Sequence, residues 1–244
     1  MVEYTQFLSD HEKAHLAHLN YLNQLSTETI HSVVFITKAV YLNVSKMVES
    51  GGGTGVIIHA DSEFYYVLTN HHIIHINSAY QFTRVVYEVF DYQNGRTTAT
   101  LIHSDPTYDL AVLRIPRNAK TLKVVQIAST NPEAGTPATI IGFPLSQKNA
   151  ITMGRVMSYG KIDIINPKDA DNKIDFESLI SNIPVQPGSS GSPVFDFNHR
   201  LIGLVYAGNF RDDKSFSQTT YAIPIEKIIE YTWGINLMIG AGSS

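Results

Sequence analysis

Three short segments carry side chains whose types and order suit acyl transfer. The first, Val185-Gln186-Pro187-Gly188-Ser189-Ser190-Gly191-Ser192-Pro193-Val194, sets serines among glycines. A serine hydroxyl attacks a carbonyl only when a base takes its proton and donors receive the oxyanion that forms. Glycine ahead of the serine lets the backbone turn so that two N–H groups point into one hole, and glycine behind it admits neighbouring backbone. The same residues also suit a plain surface turn between two strands. The second segment, Tyr65-Tyr66-Val67-Leu68-Thr69-Asn70-His71-His72-Ile73-Ile74, is a strand that ends in histidines. Imidazole titrates near neutral pH, so it can accept the serine proton and later deliver it to a leaving amine. The third, Ser104-Asp105-Pro106-Thr107-Tyr108-Asp109-Leu110-Ala111-Val112-Leu113-Arg114-Ile115, places acids at the mouth of an apolar strand. A carboxylate there can hold the imidazole tautomer and stabilise the imidazolium. Taken singly, each segment has an ordinary reading: a loop, a packed histidine, an Asp–Pro turn capped by a second acid. Residue type leaves open which histidine, aspartate and serine would act.

These side chains need elements to position them. The chain has 244 residues, 43% of them hydrophobic and only 16% charged, which allows a sizeable core and favours strands and turns over surface helices. A formal charge of −4 gives no electrostatic reason to expect nucleic acid or an anionic membrane as partner. The lack of cysteine excludes disulfides, thiolate metal sites and a cysteine nucleophile. Ser9 and Glu12 read as a capping box with Leu8 outside it, and Leu16, Leu19, Leu22 and Leu25 continue as a short helix over residues 10–25. From Ile30 the pattern becomes short β-rich runs. Six are expected in the first half, at 32–37, 55–59, 65–70, 84–90, 97–103 and 110–115. Six more follow at 138–142, 151–157, 178–183, 193–197, 201–207 and 219–223. Gly51–Gly53, Asn94–Gly95, Asp105–Pro106, Asn131–Pro132 and Pro187–Gly188 punctuate them as turns. Pro224 opens a final helix to about Trp233, and residues 116–121 form the waist. A dozen short strands in two groups argue for paired barrels or a sandwich.

With the segments in register, the sequence resembles the trypsin/chymotrypsin-like serine peptidases, above all their cysteine-free bacterial branch of HtrA-type proteases and glutamyl endopeptidases. Gly53-Thr54-Gly55-Val56-Ile57-Ile58 resembles the family's Gly-x-Gly-Val-Ile strand, and Thr69-Asn70-His71-His72-Ile73 its Thr-Asn-x-His-Val motif. Asp109-Leu110-Ala111-Val112-Leu113 is similar to its Asp-[Ile/Leu]-Ala-Val-Leu strand, and Gly188-Ser189-Ser190-Gly191-Ser192-Pro193 to its Gly-x-Ser-Gly-[Gly/Ser]-Pro loop. Ile141-Gly142-Phe143-Pro144, Leu201-Ile202-Gly203-Leu204 and Tyr221-Ala222-Ile223-Pro224 follow in family order. The resemblance implies an all-β fold: two six-stranded antiparallel β-barrels with a short N-terminal helix and a C-terminal helix. It implies His72 as general base, Asp109 as its orienting acid, Ser190 as nucleophile, and the N–H groups of Gly188 and Ser190 as oxyanion hole. The substrate pocket falls on Val185, Val205, Tyr206 and Tyr221. An apolar pocket with Pro184 in place of an acid predicts cleavage after uncharged residues.

Further expectations complete the reading. The chain divides into an N-terminal helical extension at 1–29, barrels at 30–118 and 119–223, and a C-terminal helix and tail at 224–244, with no PDZ module. No cofactor is expected. His11-Glu12-Lys13-Ala14-His15 matches the His-Glu-x-x-His zinc pattern, but without a third ligand and a surrounding domain no metal is assigned. The expected substrate is a polypeptide, and the N-terminal helix is a surface for a protein partner. Acidic residues around Lys13 and the lack of an apolar run predict a cytoplasmic location. Ser189 is neutral where trypsin-like zymogens carry an aspartate that pairs with a new N-terminus, so no proteolytic activation is expected. The rival reading is a catalytically silent or partner-gated binding module on the same fold.

Overall fold

The structure, a computed structural model, describes residues 2–77, 82–117, 122–144, 150–162, 174–210 and 217–239. A long helix α1 (Val2–Thr27) leads into a short 3-10 turn, Thr29–Ser32. Strands β1 (Val33–Tyr41), β2 (Met47–Ala60), β3 (Phe64–Thr69), β4 (Arg84–Phe90), β5 (Arg96–Asp105) and β6 (Leu110–Pro116) then close a barrel in the order β1-β2-β3-β6-β5-β4. A single helical turn, α2 (His71–Ile74), follows β3. The second barrel contains β8 (Pro137–Gly142), β9 (Ala150–Gly160), β10 (Ser178–Ser181), β11 (Pro193–Asp196), β12 (Arg200–Phe210) and β13 (Ser217–Pro224). It closes because β11 pairs with both β8 and β12, while the two-residue β7 (Gln126–Ile127) adds parallel to β12. Helix α3 (Ile225–Gly234) follows β13, with Pro224 as its extended N-cap.

The apolar pattern explains how the barrels join. Side chains alternate across a strand, so a strand with one wet face reads as alternating and a strand buried on both faces reads as a continuous apolar run. Ile57, Val67, Ala111 and Leu113 point into the core of the first barrel. Their neighbours Val56, Leu68, Leu110 and Val112 point the other way, into one cluster with Ile140, Leu179, Val194, Phe195 and Ile223 of the second barrel. Strands β2, β3 and β6 are therefore the wall between the barrels. The histidine and aspartate segments leave from this wall.

Two local expectations are corrected. Ser9 and Glu12 do not cap a helix: α1 begins at Val2 and runs through them, since no glycine or proline interrupts residues 2–27. Only its last turns dock, through Leu25 and Tyr21, while Leu16 and Leu19 stay exposed. Gly51–Gly53 are not a turn but lie inside β2, paired with Lys38, Thr37 and Ile36 of β1. Their lack of side chain serves close approach. A Cβ on Gly53 would stand 2.4 Å from Ile73 Cδ1 and 2.9 Å from the Ser190 carbonyl oxygen.

The α1 anchor is polar as well as apolar. Tyr21 donates its hydroxyl to Thr139 Oγ1 at 2.8 Å and stacks on Phe197 with ring centroids 4.5 Å apart. His199 packs against the same ring and bonds Thr29 Oγ1 and Gln24 Oε1 through its two nitrogens, at 3.0 and 2.9 Å. Burial pushes the His199 imidazole below its ordinary 6.5, against the pull of Asp196 and Glu28. The unfolded chain therefore binds a proton at pH values where the folded chain does not. This contribution to stability is present above 6.5 and is lost as pH falls through the folded value. Asparagine tolerates the left-handed backbone found at His199, φ +59°, and does not titrate in this range. Between about pH 7.5 and about pH 5.5 the thermal midpoint of wild type should fall further than that of His199→Asn. Equal falls in the two proteins would contradict this.

Candidate active site

The register of β3 and β6 creates the first half of the site. Thr69 pairs with Ala111, so the residues just beyond the two strands, Asn70–His72 and Asp109, leave the wall side by side. Asp109 then binds this segment through both its backbone and its side chain. Its carbonyl accepts from His71 N at 3.0 Å and Asn70 Nδ2 at 3.1 Å. Its carboxylate accepts His72 N on Oδ1 at 2.9 Å and faces His72 Nδ1 with Oδ2 at 2.8 Å. Asp109 is 2% exposed and sits at φ +52°, a left-handed conformation that aspartate tolerates better than most residues. A buried carboxylate facing Nδ1 fixes the tautomer with the proton there, which makes Nε2 the nitrogen that carries the lone pair.

The rival residues are otherwise occupied. Asp105 Oδ1 takes the Thr107 N–H at 2.7 Å and the Thr107 hydroxyl at 2.6 Å, as the cap of its own turn. His71 directs Nδ1 to Ser104 Oγ, and its ring lies 5.0 Å from that of His75.

The second half is a turn. Ser189 N donates to the Gln186 carbonyl at 3.0 Å, with Pro187 and Gly188 between them and Gly188 at φ +93°. That is a type II turn, which takes proline at its second position and needs glycine at its third. Ser189 is 5% exposed, and its hydroxyl lies 3.3 Å from Gln186 N; Ser192 is fully buried, against Gly142. Ser190 alone of the three keeps intermediate exposure. Among the described residues, the N–H groups of Gly188 and Ser190 are taken by no protein carbonyl. Gly191 follows at φ +80°, where a Cβ would stand 1.9 Å from the Thr54 carbonyl oxygen. Glycine is the residue that fits there.

Thr54 joins the halves. This fully buried residue of β2 donates its N–H to the Ser190 carbonyl at 2.8 Å. Its carbonyl accepts the Thr69 hydroxyl at 2.7 Å, and its own hydroxyl oxygen accepts Phe143 N at 3.1 Å. The serine turn of one barrel is thus tied to the strand of the other that lies beside Ile73, the residue after His72. The sequence reading gave Thr54 no role. Its signal was the single non-glycine residue in Gly51–Gly55.

The expected substrate-pocket residues separate. Val185 is 4% exposed and bonds Ser217 through both backbone groups, at 3.1 and 2.7 Å. It lines a cavity of about 370 Å³ together with Ile140, Gly142, Thr152, Gln186 and Ser189. Val205 and Tyr206, 1% and 8% exposed, belong to the core of the second barrel. Tyr206 shares a 2.8 Å hydrogen bond with Ser178. Burial, and beyond it the charge of Asp109, push its phenol up to about 12. Tyr221 packs half-buried against that core. Val205, Tyr206 and Tyr221 are not among the residues that line this cavity.

Comparison with known proteins places this geometry. Residues 53–204 match the family model described as "Trypsin-like peptidase domain". A "Probable periplasmic serine endoprotease DegP-like" of Pseudomonas fluorescens is 29% identical over 175 residues, covering 71% of this chain and 33% of that protein. "Serine protease Do-like HtrB" of Bacillus subtilis is 33% identical over 154 residues, covering 62% and 31%. The chain thus spans about a third of the length of these curated relatives. Among solved structures, "HtrA-type protease AlgW with decapeptide" superposes with a TM-score of 0.66 at 23% identity, covering 88% of this chain and 67% of that one. The crystal structure of Deg5 superposes at 0.64 with 25% identity, covering 87% and 92%. These relatives overturn the expected cytoplasmic location, because those from Pseudomonas are named as periplasmic. The polarity of a folded N-terminal segment reflects its helix and its exposure to solvent, so it does not decide the location.

Thr54→Val keeps the shape of the side chain and leaves the Phe143 N–H buried without an acceptor. It should destabilise the fold by about 1–3 kcal/mol in urea unfolding and slow covalent labelling of Ser190. A variant as stable and as reactive as wild type would remove Thr54 from the junction.

Proposed function

From the membership of this chain in the trypsin-like peptidase domain family, we propose that it is a serine endopeptidase acting through an acyl-enzyme on Ser190. The observation that carries the reading is the two-point hold of one buried carboxylate on His72, 2.8 Å at Nδ1 and 2.9 Å at the backbone N–H. With the proton on Nδ1, Nε2 takes the proton of Ser190 as its Oγ attacks a peptide carbonyl. Asp109 stabilises the imidazolium that results. The N–H groups of Gly188 and Ser190 receive the oxyanion, a contribution worth about 10²–10³ in rate for each donor of this kind. When the tetrahedral adduct collapses, His72 returns the proton to the leaving amine. Water then repeats the sequence on the ester and frees Ser190.

The substrate in this reading is a polypeptide. The AlgW structure named above was solved with a decapeptide, and relatives of this chain are named as serine proteases. Release of a new N-terminus is not part of the proposal: Ser189, next to the nucleophile, is neutral and contacts Gln186 within its own turn. Helix α1, with Phe7, Leu8, Leu16 and Leu19 open to solvent, is the surface assigned to a protein partner.

Wild type should take a fluorophosphonate label that Ser190→Ala does not. Label retained in Ser190→Ala would move the nucleophile elsewhere. Asp109→Asn tests the acid. Its amide oxygen can still accept His72 N–H, but its NH₂ then faces Nδ1 and forces the proton onto Nε2, the wrong tautomer for a base. Turnover should fall by about 10⁴, the figure known for this exchange in chymotrypsin-type enzymes, while Asp105→Asn costs far less. The reverse ranking would sink the assignment.

Specificity is read from the neutral surroundings of the nucleophile, with Pro184 and Val185 just upstream of the turn. Cleavage of a peptide library should follow uncharged, apolar residues. Strict selection of glutamate or arginine at that position would overturn this.

A further inference from the structure

Helix α2 is only four residues long, and a single turn does not hold itself together in water. It must be fixed from outside. Its entry is fixed by Asp109, which the proposed mechanism already uses. Its exit is fixed by residues to which no role has been given. Tyr87 of β4 donates its hydroxyl to the Ile74 carbonyl at 3.1 Å. Lys38 of β1 donates from Nζ to the His75 carbonyl and to Glu49 Oε1 of β2. The other oxygen of Glu49 accepts Asn77 N at 3.2 Å.

We propose that Lys38, Glu49 and Tyr87 are positioning residues for His72, fixing the exit of the turn that presents the imidazole. The inference rests on the reading of His72 as the base. Lys38 is 4% exposed, and a buried ammonium persists only when it is paired and hydrogen-bonded. Its stem passes over Gly51, its partner in the β1–β2 register, where a Cβ would stand 3.7 Å from Lys38 Cε and 4.0 Å from the Ile73 carbonyl. Burial alone raises the Glu49 carboxyl, and the bonds from Lys38 and Asn77 N outweigh it, bringing the group below its ordinary value. Glu49 is therefore the anionic acceptor that both donors need. An ion pair required only for barrel stability would have no need to reach His75 and Asn77. These three side chains converge from three strands on the residues that follow His72.

The test separates charge compensation from positioning. Single Lys38→Met or Glu49→Gln leaves a buried charge without its partner, so the double variant Lys38→Met/Glu49→Leu is the informative one. It should keep a thermal midpoint close to that of wild type while kcat falls about 10²-fold and KM stays within about twofold, the signature of a displaced reacting group. Tyr87→Phe, which removes one hydroxyl and no charge, should lower kcat in the same direction by about tenfold and serves if the double variant does not fold. The low-field proton resonance of His72 Nδ1–H, assigned by its loss in His72→Gln, should shift or broaden in both variants. This signal reports the imidazole whether or not the protein turns over. A wild type without Ser190 labelling would therefore refute the peptidase reading and still leave the positioning claim to the resonance. Wild-type kcat and an unchanged resonance in the variants would overturn the inference.

Discussion

The arrangement depends on one dry polar junction, the hydrogen bonds of Thr54. A buried backbone group or hydroxyl without a partner costs about 1–3 kcal/mol, so the polar atoms of a fully buried threonine must all be satisfied by protein. Here they are satisfied from three directions: Ser190 carbonyl, Thr69 hydroxyl and Phe143 N–H. Two of these partners belong to the second barrel and one to the histidine strand. The serine turn and the histidine turn thus share a reference point, although they come from different barrels.

Around that point, the wall of β2, β3 and β6 does two jobs with one sequence pattern. Full burial of both faces removes water from the base of the cleft and supplies the apolar contact that holds the barrels together. Low dielectric then makes the Asp109–His72 contact stronger than it would be in solvent. The left-handed backbone at Asp109 is a cost, and the four hydrogen bonds that its carbonyl and carboxylate accept over-determine it. Strain of this kind persists where the surrounding contacts leave the chain no better alternative.

Much of this was legible in the sequence, for identifiable reasons. The β-rich runs Tyr65–Asn70 and Leu110–Ile115 marked strands, and the glycines around Ser190 marked a place where the backbone turns. The twelve expected strand segments all fall on strands, since each is a β-rich run bounded by breakers. What escaped was set by tertiary contact. Gly51–Gly53 carry the composition of a turn yet pair as a strand with β1, and neighbouring atoms occupy the space that a Cβ on Gly52 or Gly53 would need. Ser9 and Glu12 carry the spacing of a cap inside a helix that simply continues. Lys38, a lone basic residue in an apolar strand, gave no local hint that its partners lie eleven and thirty-seven residues away. The burial of Val205 and Tyr206 in the core of the second barrel is likewise set by packing and not by any local pattern in β12.

The two halves of the site are held in different ways. The histidine side is fixed largely by side chains, beside the backbone bond of His71 to Asp109: a carboxylate at its entry, and at its exit an ammonium and a phenol from barrel strands. The serine side is fixed by backbone, through the turn at Gln186–Ser189 and the bonds of Ser190, Gly191 and Ser192 to Thr54 and Val205. No disulfide braces it, because the chain has no cysteine. Backbone bonds in a glycine-bearing turn can be exchanged by rotating a peptide unit, whereas a buried ion pair can be separated only at the cost of an unpaired charge. The histidine turn is therefore the half of the site that costs more to rearrange. The serine turn is the half whose shape depends on what packs against it.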